Sequence, residues 1–424
     1  MLPKYYQDKI YPIDTQCCSE YCYFCQEKDE ITLLMADQET MNNFISLSNL
    51  VKKNAYKGYE FDDFLGSKFL STMSFGNLFI KRVFVQVGKF LPVNIRPFIG
   101  IRKLESTKAN AFFAKGYLYA FKASSYEKWL QEAVRLLNWL LESYSTGYSG
   151  LAWGNAFDFA SRGGFYKKGL PTIVWTSHIN NTFYLAYKET RFDRYKDAVI
   201  SSTDFISKDL ERYEDNNGTC LAYAPGLLSL VHNSNLLGAA ALLRAWTLDN
   251  DREKYNLAQK AFSWSIGHMN TDGSWYYGIG KKYRWIDNFH TAYVLDCLVE
   301  GHLIGGEVMV PWQVIDLTFK FWRKNFFLED GTPKYYHNKK YPIDVQCAAQ
   351  AIESFAKYSE INQSALSDAY KVYKWTIKHQ RKRNGGFIFQ KRRFYTNKLE
   401  SIHWGQSTML LALGILSYYL SEGR

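Results

Sequence analysis

The sequence predicts an all-α fold, an (α/α)6 toroid in which six helical hairpins close into two concentric rings. Three observations point there. First, polar-then-apolar segments recur: "SHINNTFYLAY", "VHNSNLLGAAALL", "IDNFHTAYVLDCL", "PIDVQCAAQAI" and "IHWGQSTMLLALGIL". Their second polar residues, Asn181, Asn235, His290, Gln346 and Gln406, are 54, 55, 56 and 60 positions apart. Second, these segments are apolar nearly all round, as helices packed on every side are, whereas the stretches between them are amphipathic. Third, strand signals are short and confined to loops. Units repeated at this period bury a continuous core only by stacking on their neighbours.

Along the chain, residues 1–35 read as an extension and 36–424 as the toroid. The stretch "PKYYQDKIYPIDTQC" (3–17) nearly repeats "PKYYHNKKYPIDVQC" (333–347), which leads into the fifth repeated segment. The first copy is therefore expected to lead into a helix as well. Next comes "CCSEYCYFC", whose Cys18, Cys22 and Cys25 have the C-x3-C-x2-C spacing of some [4Fe–4S] sites. On a helix these cysteines share one face, and buried cysteine behaves as a small hydrophobe, so helix packing is the reading adopted. No metal or cofactor is assigned. "STKANAFFAKGYLYAF" is a sixth candidate inner segment, set 71 positions ahead of Asn181 by the long loop 144–175. Outer helices are expected in "YEKWLQEAVRLLNWLLESY", "DRYKDAVISSTDFISKDLERY", "DREKYNLAQKAFSWSIGHM" and "SALSDAYKVYKWTIKHQ", each apolar at i, i+3, i+4 and i+7.

In such a ring the N-termini of the inner helices converge on one mouth. The repeated segments place polar pairs there, read at i and i+3, and Asp287 and Asp344 begin two of them. Capping explains any one pair. A full set converging on one basin suggests a ligand site. The loops before the inner helices add aromatic and cationic groups: Trp153, Asp158, Arg162, Trp275, Tyr277, Arg284, Tyr336 and Trp404. Aromatic faces suit sugar rings, and arginine suits carboxylates. The expected binding set is therefore Trp153, Asp158, Arg162, Asn181, His232, Asn235, Trp275, Arg284, Tyr336, Gln346, His403, Trp404 and Gln406.

The chain of 424 residues is 47% hydrophobic and carries a formal charge of +11. A basic surface suits an acidic polymer. Nucleic acid is not the expected partner, because helical repeats that read RNA do so on an open superhelix. No apolar run is long enough to span a membrane, and no signal-peptide pattern opens the chain, so a cytoplasmic location without stable membrane insertion is expected. Oligomeric state is not legible.

Four motifs carry a family resemblance: "YKGYEFDDFLGS" (around Asp62, Asp63 and Ser67), "LPVNIRPFIGIRK" (91–103), "WGNAFDF" (153–159) and "IHWGQSTM" (402–409). From about residue 40 onward the chain resembles (α/α)-toroid proteins encoded with bacterial and archaeal polysaccharide-biosynthesis genes. These are similar in fold to six-hairpin glycosidases and terpenoid cyclases. The resemblance implies a role in making or modifying polysaccharide, but it transfers no catalytic residue. One departure is His403-Trp404, where the pattern would place an arginine before the tryptophan.

An enzyme acting on glycans needs two carboxylates for hydrolysis, or a base and a charge neutraliser for elimination from a uronate. Asp287, Asp344, His290, His178 and Tyr277 are the expected catalytic residues, with Asp158 and Asp62 or Asp63 as further carboxylates. The expected activity is glycoside hydrolysis or lysis of an anionic glycan. A binding or assembly protein with the same aromatic cleft is the alternative. A terpenoid cyclase would need DxDD or DDxxD, which the sequence lacks.

Overall fold

The structure, a computed structural model, describes residues 23–422, with side chains from residue 35. The copy of the repeat in residues 1–22 and the side chains of Cys17–Cys25 lie outside the described part. The chain runs through α1 (Tyr23–Lys53), α2 (Lys68–Met73) and α3 (Leu78–Phe90) before five helical hairpins. These are α4 (Thr107–Ser124) with α5 (Glu127–Glu142), α6 (Ile173–Thr190) with α7 (Asp193–Asp204), and α8 (His232–Asp249) with α9 (Arg252–Ile266). Then come α10 (Asn288–Gly305) with α11 (Trp312–Phe326), α12 (Val345–Tyr358) with α13 (Ser364–Gln380), and finally α14 (Thr408–Glu422).

The inner helices α4, α6, α8, α10, α12 and α14 each touch the next, and α14 returns to α4. The ring is closed. At that seam two glycines meet: a Cβ on Gly414 would lie 2.5 Å from the carbonyl oxygen of Gly116. Only glycine lets the backbones of α4 and α14 approach this closely. The outer partner of α14 is α1, which packs against it from the other end of the sequence. Because α1 runs unbroken from Tyr23 through position 35, the expected boundary at 35/36 falls inside a helix of the sixth hairpin.

Local sequence explains why the two ends of the ring differ. The first three inner helices end on left-handed residues, Ser125, Arg191 and Asn250, with φ of 54°, 59° and 57°. Each turns the chain at once into its outer helix. The reverse connections are long, and they carry the strands. β1 (Phe159–Ala160) pairs with β2 (Phe165–Tyr166), and β3 (Arg212–Asp215) with β4 (Gly218–Leu221). β5 (Ile343–Asp344), β6 (Gln390–Lys391) and β7 (Thr396–Asn397) form one small antiparallel sheet. All the elaborate loops therefore gather at the end where the inner helices begin.

Deeper in the ring, buried and half-buried charges join one inner helix to another, both between ring neighbours and, for Lys115 and Glu353, across the ring. Lys115 of α4 lies 3.6 Å from Glu353 of α12, and Lys357 lies 3.0 Å from Asp296 of α10. Arg244 of α8 lies 2.7 Å from Glu300. Three cations face three carboxylates, which offsets the desolvation that each would suffer alone.

Candidate functional site

Side chains from the mouth loops and from α3 enclose a cavity of about 530 Å³ at the N-terminal ends of the inner helices. Asp62, Lys89, Arg162, Tyr277, Trp285, His290, Tyr336 and Arg392 stand in its wall. Their order is local. Asp287 caps α10 by accepting the backbone N–H of His290 at 3.1 Å. Its other oxygen accepts the indole N–H of Trp285 at 2.7 Å and faces His290 Nδ1 at 2.8 Å. The buried carboxylate thus holds a proton on Nδ1, and Nε2 of this partly exposed, cavity-lining imidazole has no hydrogen-bond partner among the described residues. Tyr277 stacks on Trp285 at 4.4 Å and lies 4.6 Å from the His290 ring, while the Arg162 guanidinium sits 5.3 Å from Trp285.

Among the described residues, Asp62 is the one carboxylate in that wall. Burial pushes it up to about 6, against the pull of His403. Lys89 shares the cavity. Burial lowers its ammonium, while Asp344, Asp62 and Asp287 draw it back up. Beneath Asp62 lies Lys108, buried and 4.9 Å, 5.4 Å and 5.9 Å from the rings of Trp175, Phe112 and Tyr293. Burial lowers this amine to about 8. The indole N–H of Trp175 and Nε2 of His178 are buried there without a hydrogen-bond partner among the described residues.

Of the residues expected from sequence, the structure brings Arg162, Tyr277, His290 and Tyr336 to the cavity wall, with Asp287 directly behind. It corrects others. Asp344 is fully buried: its carboxylate accepts from Gln346 N–H, Trp404 Nε1 at 2.8 Å and Gln390 Nε2 at 2.7 Å. It caps α12 and positions Trp404, with no oxygen open to a substrate. Burial raises the Tyr277 phenol, so it keeps its proton and serves as a wall rather than a base. His178 is held neutral by burial and by Lys108, five residues into α6 from its start.

The polar pairs also lie at different depths. Asn181 is the ninth residue of α6, Asn235 the fourth of α8, His290 the third of α10 and Gln346 the second of α12. Asn235 is consumed by the scaffold: it accepts Leu221 N–H and donates to the carbonyl of Ala261 at 2.8 Å. Gln406 clamps both backbone groups of Phe387. Gln346 donates to Tyr293 Oη at 2.7 Å inside the ring. His232 is buried among Trp264, His268 and Trp275, its ring driven down to about 3. Trp153 and Trp275 are core, their indoles donating to Leu140 O and Thr318 Oγ1. His403 is buried with Nδ1 3.1 Å from Glu60, and its ring lies beside Trp175. Asp158 accepts Lys168 N–H and borders a separate outer cleft, and Arg284 is exposed over Tyr276. Sequence reasoning missed Lys89 and Lys108; neither lies in a repeated polar pair or an aromatic loop.

No protein-family model matches the chain, and no curated protein sequence does. Solved structures do. An unsaturated glucuronyl hydrolase specific for heparin aligns over 91% of this chain and 96% of its own, with TM-score 0.60 and 12% identity. The fold is the six-hairpin toroid. The cellobiose 2-epimerase of Bacillus thermoamylovorans aligns over 74% and 87%, with TM-score 0.58 and 13% identity. A GH76 α-mannanase of Bacteroides thetaiotaomicron aligns over 74% and 86%, with TM-score 0.59 and 12% identity. At such identities the likeness speaks for the fold alone.

Proposed function

We propose that the protein is a carbohydrate-processing enzyme that takes an acidic saccharide into the mouth cavity and cleaves it by elimination. The observation that carries this reading is the Asp287–His290 pair, aimed into an aromatic cavity that also holds Asp62 and four cations, Lys89, Arg162, Lys339 and Arg392. Lys89, Arg162 and Arg392 suit the carboxylate of a uronate, whose neutralisation acidifies the neighbouring C–H. His290 Nε2 takes that proton, and the Asp287 carboxylate stabilises the imidazolium that forms. The electron pair becomes a C=C bond and the C–O bond to the leaving sugar breaks. Asp62, partly protonated near neutrality because burial raises it to about 6, returns a proton to the departing oxygen.

With Asp344 closed off and Asp287 engaged behind His290, the described residues offer the cavity one carboxylate rather than the facing pair that glycoside hydrolysis ordinarily uses. The sugar-directed names of the structural neighbours support a saccharide substrate. The test is incubation with uronate-containing oligosaccharides, followed by ultraviolet absorbance of the unsaturated product. His290→Gln is expected to remove that signal while leaving binding intact. Reducing ends without absorbance would replace elimination by hydrolysis. Binding without any turnover would sink the enzymatic reading.

A further inference from the structure

We propose that the face built by α2, α3 and the loop 91–99 docks on an anionic lipid surface. Large apolar side chains project from it into solvent: Phe69 is 64% exposed, Phe75 85%, Phe79 73%, Val93 65% and Phe98 89%. Along α3 the exposed residues Phe79, Val83, Val87 and Phe90 follow i, i+4, i+8 and i+11, one stripe of a helix. The opposite side of α3 is anchored: Val85 is buried, and a Cβ on Gly88 would strike the Phe64 ring at 2.4 Å. Apolar residues scattered singly over a surface need no explanation, but a contiguous group marks an interaction site.

Charge names the partner. From residue 68 to 103 there is no Asp or Glu, while Lys68, Lys81, Arg82, Lys89, Arg96, Arg102 and Lys103 are present. Arg96 is spent internally, on Asp63 at 2.6 Å, and Lys89 turns into the mouth cavity, which leaves the other five for the surface. The β6–β7 hairpin extends the face. Arg392 lies 4.3 Å from the Phe90 ring, Tyr395 Oη donates to the Phe90 carbonyl at 2.8 Å, and exposed Arg393, Phe394 and Lys398 follow. Aromatic tips ringed by cations suit the headgroup region of an anionic bilayer. No described helix is long and apolar enough to cross a membrane, so the contact is peripheral. Since Val85, Gln86, Lys89 and Phe90 also line the mouth cavity, docking sets the mouth beside the lipid surface. The inference stands independently of the reaction assigned to that cavity.

The test is flotation of the full chain with vesicles of equal parts phosphatidylglycerol and phosphatidylcholine, against phosphatidylcholine alone. The wild type is expected to float with the anionic vesicles at low salt and to be released by salt. The triple variant Phe75→Ser, Phe79→Ser, Phe98→Ser should bind roughly a hundredfold more weakly. The charge variant Arg102→Glu, Lys103→Glu should bind about tenfold more weakly. All these side chains are exposed, so melting temperatures should not move. Failure of the wild type to float, or undiminished flotation of both variants, overturns the proposal. So does a vesicle-free dimer that the triple variant dissociates, because the face would then be a protein interface.

Discussion

Replacing Asp287 by asparagine keeps the shape of the side chain and removes its charge. Asparagine caps a helix as well as aspartate does, so the bond to His290 N–H and the start of α10 should persist. The damage falls at the second oxygen. There an amide NH2 would meet the indole N–H of Trp285, now 2.7 Å from an acceptor, and would donate to His290 Nδ1, now 2.8 Å away. The imidazole would then carry its proton on Nε2, the atom proposed to accept one. One indole donor left unsatisfied destabilises by about 1–3 kcal/mol. Loss of a positioned base lowers kcat by about 10²–10⁴. The assay is kcat on an acidic oligosaccharide, measured beside thermal melting. Turnover within about threefold of wild type, together with a lowered Tm, would show that Asp287 is only a cap and refute the dyad.

Three further outcomes are expected. Asp62 titrates at about 6 instead of 3.8 because the fold buries it, so the native state binds more protons than the unfolded chain between those values. Stability attributable to Asp62 therefore falls as pH rises through that window. Asp62→Asn should be more stable above pH 6 by up to about 3 kcal/mol, match wild type below pH 4 in denaturant titrations, and lose turnover. For Lys108, lowered from 10.5 to about 8 by burial, the sign reverses: the unfolded chain binds more protons, and native stability rises with pH across that range. Lys108→Met should stabilise by up to about 3 kcal/mol at pH 7, and the gain should shrink toward pH 10 in the same titrations. Gly414→Val forces a branched side chain onto the Gly116 carbonyl, so calorimetry should show a loss of at least about 3 kcal/mol.

The ring was legible because repetition writes it into the chain: alternating apolar and amphipathic helices at a steady interval leave few other packings. Which polar residues face the axis was not legible, and the reason is physical. An inner helix such as α8, with Leu, Ala and Gly on all sides, has no polar side to orient it. His290 and Asn235 look alike in sequence, yet one opens to the cavity and the other ties its helix to β4 and α9. Small differences in loop length then shifted the marked residues by up to two turns along their helices. The fifth pair was out of step as well, for Asp344 matches Asp287 as a cap and Cys347 takes the position of His290. The closing role of α1 was hidden for another reason, since its partner α14 lies at the far end of the chain.

The most direct measurement is a crystal structure of the His290→Gln variant with an acidic oligosaccharide bound. The account predicts a uronate in the mouth, its carboxylate against Lys89, Arg162 or Arg392, with the acidified C–H within about 3.5 Å of the residue 290 side chain. A saccharide seated in the outer cleft beside Asp158 and Lys168, or in the mouth with its carboxylate turned away from those cations, would contradict it.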